Sequence, residues 1–171
     1  MIFFTIGTQL PFDRLVAMVD DVAGKISEPI IGQIGNTDYR PLNFQYSTHV
    51  EPEDFAERVN NARIIIGHAG IGTLLAAKLA AKPVIVMARQ ASLGEHRNDH
   101  QSATAKQLTN IQGVHVIHNT EELLQLLISK ELQPMNSETG PSLHKLHAKL
   151  RSEISKGRLK RLTKNHPTKV S

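Results

Sequence analysis

Apolar residues recur along the chain with two alternating periods, and that alternation predicts the architecture. Ile2 to Ile6 is a run apolar at every position but Thr5, the mark of a strand buried on both faces. After it, Leu15, Val16, Val19, Val22, Ala23 and Ile26 fall on one face of a helix that Asp13 is placed to cap. Residues 29 to 35 read as a second strand ending at the Gly35-Asn36 turn, and Phe44-Gln45-Tyr46 as a short third. Glu51-Pro52 opens a helix to about Asn61, with proline suited to the first turn. Arg63 to Gly67 is the clearest strand, followed by a helix to about Ala81 carrying Ile71, Leu74, Leu75 and Leu79 at helical spacing.

The same cycle then repeats twice. Pro83 to Met87 reads as a strand, and Asn98 with Gln101 as a capping box for a helix to about Asn110. Val114 to Ile117 is a last strand, and Asn119 with Glu122 caps a Leu-rich helix to Ser129. Strands alternating with helices predict an α/β fold, a Rossmann-like parallel sheet with helices on both faces. We assign residues 1–129 to this domain, 130–141 to a linker, and 142–171 to an amphipathic helix and basic tail. In that last segment Leu143, Leu146, Leu150 and Ile154 form an apolar stripe.

Composition narrows the function classes. The 171 residues are 40% hydrophobic and contain no cysteine, which excludes a disulfide framework, a thiolate metal site and a thiol nucleophile. The N-terminal stretch lacks the basic region and cleavage site of a signal peptide, and no apolar run reaches the ~20 residues that span a bilayer. The expected location is therefore cytoplasmic, with any membrane association peripheral. The net charge of +4 divides unevenly: from His144 to Ser171 nine Lys and Arg stand against Glu153, and the remainder is mildly acidic. Such a tail suits an anionic lipid surface or a partner's acidic face. Aromatics make up only 4% of the chain and none interleave with the tail's basic residues, which argues against nucleic-acid binding.

Three constellations carry candidate chemistry. Gly67-His68-Ala69-Gly70-Ile71-Gly72-Thr73 lies between a strand and a helix, where open α/β sheets bind ligands. The helix N-terminus offers unpaired N–H groups to an anion, Gly70 and Gly72 permit close approach, and Thr73 adds a hydroxyl. The alternative is a tight turn without a ligand. The second constellation, on the same sheet edge, is Arg89 with Gly94 to Gln101: Arg89 suits a phosphate charge, Glu95 and Gln101 suit sugar or ribose hydroxyls, and His100 lies beside them. A metal site from His96, Asp99 and His100 at i, i+3 and i+4 competes with this, but Asn98 as helix cap puts His96 outside the helix. The third, Gly7-Thr8-Gln9, follows the first strand and ends at the same edge. No Ser-His-Asp arrangement or paired-carboxylate motif is present.

The stretch Ile2 to Leu15, with Gly7-Thr8-Gln9 and Pro11-Phe12-Asp13-Arg14-Leu15, resembles the glycosyltransferase family 28 C-terminal domain. So do Gly67 to Thr73, Lys82 to Arg89 and Gly94 to Gln101. Within that family the chain is most similar in kind to soluble subunits of split, two-chain transferases, of the exopolysaccharide and dolichol-diphosphate N-acetylglucosaminyl types. The resemblance implies the C-terminal half of a GT-B fold, binding a UDP-sugar donor through Gly7, Thr8, His68, Gly70, Gly72, Thr73, Arg89, Glu95, His100 and Gln101. It implies inverting transfer without a metal or other cofactor. The acceptor, a polyprenyl-diphosphate sugar, and the catalytic base would belong to a membrane-associated partner chain, so this chain alone would bind donor and turn over poorly. Two positions depart from the pattern. Ala76 stands where many members carry a ribose-holding acid, and the fifth strand ends Met87-Ala88-Arg89 without the usual proline.

Overall fold

The computed structural model describes residues 1–95, 108–129 and 132–136. Six parallel strands form one sheet in the order β3-β2-β1-β4-β5-β6. The strands are β1 (Ile2–Thr5), β2 (Ile30–Gln33), β3 (Gln45–Ser47), β4 (Ile64–His68), β5 (Val84–Met87) and β6 (Val114–Val116). The helices are α1 (Asp13–Ala23), α2 (Pro52–Asn61), α3 (Ile71–Leu79) and α4 (Thr120–Ile128), with a short 3₁₀ turn at Ala91–Leu93. This is the Rossmann-like sheet that the alternation predicts.

The two faces of the sheet bury separate cores. On one, Ile2, Phe4, Ile64, Ile66 and Ile85 pack against Leu15, Val16 and Val19 of α1 and Leu123 and Leu127 of α4. On the other, Phe3, Ile65, Val84 and Val86 pack against Val59 of α2 and Leu74 and Ala77 of α3. Alternate residues of one strand serve opposite faces, which is why the strands read as near-continuous apolar runs. β1 lies at the centre, with Thr5 paired to Gln33 on one side and to Gly67 on the other.

Helix starts follow the sequence signals unevenly. The Asn119 side chain caps α4 as expected, accepting from the Glu122 N–H at 2.8 Å, and the Glu122 carboxylate reaches one residue past the cap to accept from the His118 N–H at 2.7 Å. Pro52 opens α2 as expected. Asp13 does not cap α1. Phe12 is the cap residue, without a side-chain bond, and the Asp13 carboxylate accepts instead from the Thr37 hydroxyl and the Tyr39 N–H. The difference has a physical reason. A β2-to-β3 connection without a helix leaves its own backbone donors to satisfy, and α1 supplies two carboxylates for them. Buried Asp20 is the second, accepting from the Leu42 and Asn43 N–H groups at 3.0 and 2.7 Å and from the Tyr39 hydroxyl at 3.0 Å.

At the other end, Met135 is buried against the second core and its N–H reaches the Lys82 carbonyl at 3.4 Å. Part of the expected linker thus lies against the domain. Residues 1–137 form one compact unit. The expected helix at 142–156, the basic tail and the helix after Asn98 lie outside the described residues. Among the described residues, no helix is long and apolar enough to cross a membrane.

Candidate functional site

All three candidate constellations begin at the carboxyl edge of the sheet, because each follows a parallel strand. At β1 the chain turns sharply at Gly7, whose φ of +77° favours glycine. The buried Thr5 hydroxyl braces this turn, accepting from the Gly7 N–H at 3.1 Å and donating to the Gln33 carboxamide oxygen at 3.1 Å. At β4 the chain passes through His68 and Ala69 into Gly70, the extended cap residue of α3.

The His68 imidazole occupies the space between these two turns. A Cβ on Gly7 would come within 3.0 Å of its Cε1, and one on Gly70 within 2.1 Å of its Nε2. Glycine at both positions is therefore what lets the ring lie between the loops. Gly67 has a related role: a Cβ there would meet the Thr5 carbonyl at 2.7 Å and the Thr73 methyl at 2.9 Å. Thr73 is buried with its side chain against β4, so the hydroxyl expected at an anion packs inside the strand–helix junction. Gly72 differs from all of these. It is exposed, and a Cβ there would meet nothing within 4 Å.

The first turn of α3 holds no acidic residue and its cap makes no side-chain bond. Its leading N–H groups have no intrahelical acceptor, and the space beside Gly72 is open. Ile6, Gly7, Thr8, Gln9, Leu10, His68 and Arg89 line a pocket of about 80 Å³ next to it. Gly7, Thr8, His68 and Arg89 are thus brought together, with Gly70 and Gly72 at the adjoining helix end.

Arg89 lines this pocket, but its guanidinium is directed at the backbone. It is 2% exposed and donates to the carbonyls of Ile6 at 3.0 Å, Leu10 at 2.8 Å and Pro11, while lying 4.6 Å from the Phe12 ring centroid. Burial pulls its pKa down to about 10, opposed by the nearby Glu95 charge, and it remains a cation at neutral pH. Glu95, expected at sugar hydroxyls, is held by Arg14 of α1 through Nε at 2.7 Å and Nη2 at 2.8 Å, and also accepts from the Gln90 N–H at 2.8 Å. Burial pushes the Glu95 carboxyl up, but the bonds from Arg14 and Gln90 outweigh it and hold it below the usual range. Arg14, which the sequence offered only as part of a resemblance motif, is the residue that single-chain reasoning missed. Its partner lies 81 residues away, and no local pattern announces it. His100, Gln101 and the weighed metal ligands His96 and Asp99 lie outside the described residues. Among the described residues, no group of three His, Asp or Glu side chains is arranged to hold a metal. Ala76 on α3 is half-buried against the second core.

A match to the glycosyltransferase family 28 C-terminal domain extends over residues 1–163. The chain belongs to that family. Among curated proteins none matches it. Solved structures share the fold of this family 28 domain. The solution structure of ALG13 superposes with a TM-score of 0.58 at 17% identity, over 85% of this chain and 93% of that one. MurG of Acinetobacter baumannii gives 0.55 at 22% identity, over 77% of this chain and 42% of its own. The glycotransferase of kitacinnamycin gives 0.57 at 17% identity, over 90% of this chain and 38% of its own. The family 28 domain thus spans well under half the length of the latter two and nearly all of ALG13.

Proposed function

We propose that this family 28 domain is the donor-binding subunit of an inverting glycosyltransferase that moves a sugar from a UDP-sugar to a polyprenyl-diphosphate-linked acceptor. The observation that carries this reading is the acid-free N-terminus of α3, open above Gly72 and flanked by the Gly7 turn and His68. A diphosphate at that end gains unpaired N–H donors and the positive end of the helix dipole, which stabilise a leaving UDP without a metal. Thr8, exposed on the rim, and the Gly7 turn then lie toward the phosphates, with Arg89 fixing the loop that carries them.

A single Rossmann-like sheet leaves the acceptor side of the reaction to be supplied. In this reading a separate, membrane-associated acceptor-binding chain supplies it. The deprotonating base would reside there, so the isolated chain binds donor and does not turn over. The basic segment from His144 to Ser171 favours recruitment to the inner membrane face, at ~1 kcal/mol per basic residue near anionic headgroups.

Isothermal titration of the full chain with UDP, UDP-glucose, UDP-glucuronate and UDP-N-acetylglucosamine, with EDTA present, tests the donor role. Saturable binding of UDP and preference for one UDP-sugar are expected. Absence of binding to all four sinks the reading. Binding lost with EDTA and restored by a divalent cation refutes the metal-independent part alone.

A further inference from the structure

Arg14, at the start of α1, and Glu95, 81 residues later, tie together the chain segments that follow β1 and β5. The first follows β1 and carries Gly7, Thr8 and Gln9; the second follows β5 and runs from Ala88 to Glu95. Arg14 grips Glu95 with two nitrogens, and Nη2 also donates to the Ala88 carbonyl at 3.2 Å. Nη1 lies 3.1 Å from the Met87 sulfur at the end of β5. Arg89 runs the opposite way, from the second loop to the Leu10 and Pro11 carbonyls of the first. Phe12 lies against both guanidiniums, 5.4 Å from Arg14 and 4.6 Å from Arg89. The start of α1, directly after the first loop, therefore sends Arg14 to the second loop, the second loop sends Arg89 to the first, and the Glu95 carboxylate also closes its own loop on the Gln90 N–H.

We propose that the Arg14–Glu95 pair is a positioning device for the donor cleft, fixing the β1 loop and the β5 loop as one rigid rim before ligand arrives. The proposal rests on the donor-site reading for its effect on affinity, but not for its effect on the loops. A planar guanidinium engages a carboxylate through two parallel bonds that a lysine cannot reproduce, so the geometry, and not the charge alone, sets the spacing. The Glu95 side chain is 10% exposed and that of Arg14 29%, which shields the pair in part from solvent screening. A rim fixed in advance spares the ligand the cost of ordering it.

The test compares the full chain with its Arg14→Lys and Glu95→Gln variants and with the exchanged pair Arg14→Glu/Glu95→Arg, without ligand and with UDP. Hydrogen exchange without ligand should speed up at Gly7, Thr8 and Gln9 in the Glu95→Gln variant, although the change lies in the other loop, while amides of β4 at Ile65 and Ile66 keep their rates. UDP affinity should fall about tenfold in Arg14→Lys, in line with ordering a few side chains on binding, and recover in part in the exchanged pair. Unchanged exchange in the β1 loop overturns the proposal, as does uniformly faster exchange that includes β4, which would make the pair a general stabiliser. If the parent chain binds no UDP, the donor reading fails, and the exchange rates alone still decide whether the pair couples the loops.

Discussion

Replacing Gly72 with alanine separates the needs of the fold from the needs of a ligand. The other glycines near the cleft cannot serve, because a Cβ at Gly7, Gly67 or Gly70 collides with His68, Thr5 or Thr73. At Gly72 the added methyl meets nothing within 4 Å. The residue occupies the second position of α3, with helical backbone that alanine adopts without strain. Alanine there restricts the unfolded chain and favours the helix, for a gain of about 0.4–1 kcal/mol. For a chain of 171 residues that amounts to a rise in melting temperature of roughly 1–4 °C. A phosphate seated on the first-turn N–H groups would touch that methyl. Wild type in UDP at a hundred times its Kd should gain about 2.7 kcal/mol of stability. A tenfold weaker variant at the same concentration loses about 1.3 kcal/mol of that gain. Thermal shift with and without UDP reads both effects on one sample. A variant that melts higher and keeps the full UDP-induced shift refutes phosphate binding at this helix end. One that melts lower refutes the steric reasoning.

Other outcomes follow from the same contacts. Arg89→Met should cost about 3 kcal/mol, because the Ile6, Leu10 and Pro11 carbonyls lose a buried charged donor, and lower the melting temperature by roughly 6–12 °C. Normal stability with abolished UDP binding would instead make Arg89 a ligand group. Acid should act in two steps. Burial pushes the His115 pKa down, so the native ring resists protonation, and stability should begin to fall as the pH drops below about 6.5; His115→Leu removes this step. Arg63 holds the Glu28 carboxyl below its usual range, and in Asp13 the bonds from Thr37 and Tyr39 outweigh the upward push of burial. Their contribution is full above about pH 4.5 and is lost as the pH falls through the depressed values. Urea denaturation at pH 7.5, 5.5 and 3.5 checks both steps, and a stability flat from 7.5 to 5.5 would refute the His115 assignment.

Much of the fold was legible because its signals are local. Ile64, Ile65 and Ile66 announce a strand buried on both faces, and Asn119 with Glu122 announces a helix start within four residues. The shared edge of the three candidate loops was legible for the same reason, since any loop after a parallel strand emerges at the sheet's carboxyl edge. The tasks of individual side chains were less legible where long-range partners decide them. Asp13 looks like a cap until Thr37 and Tyr39 arrive from another segment. Glu95 and Arg89 look like ligand groups until Arg14 and the β1 loop carbonyls claim them. Thr73 looks like an anion donor until helix phase turns it toward Gly67. A sequence window shows what a polar group can bind, and only tertiary structure shows which partner reaches it first.

The central place of β1 also has a consequence in time. Its partner in β4 comes 62 residues later, as Thr5 pairs with Gly67. At a synthesis rate of about 5–20 residues per second, roughly 3–12 s separate the emergence of the two. Throughout that interval Ile2-Phe3-Phe4, destined for complete burial, has at most β2 beside it. The nascent chain therefore carries this apolar strand with one edge unpaired for seconds, and its yield in the cell should depend on chaperone supply and on elongation rate more steeply than its final stability would suggest.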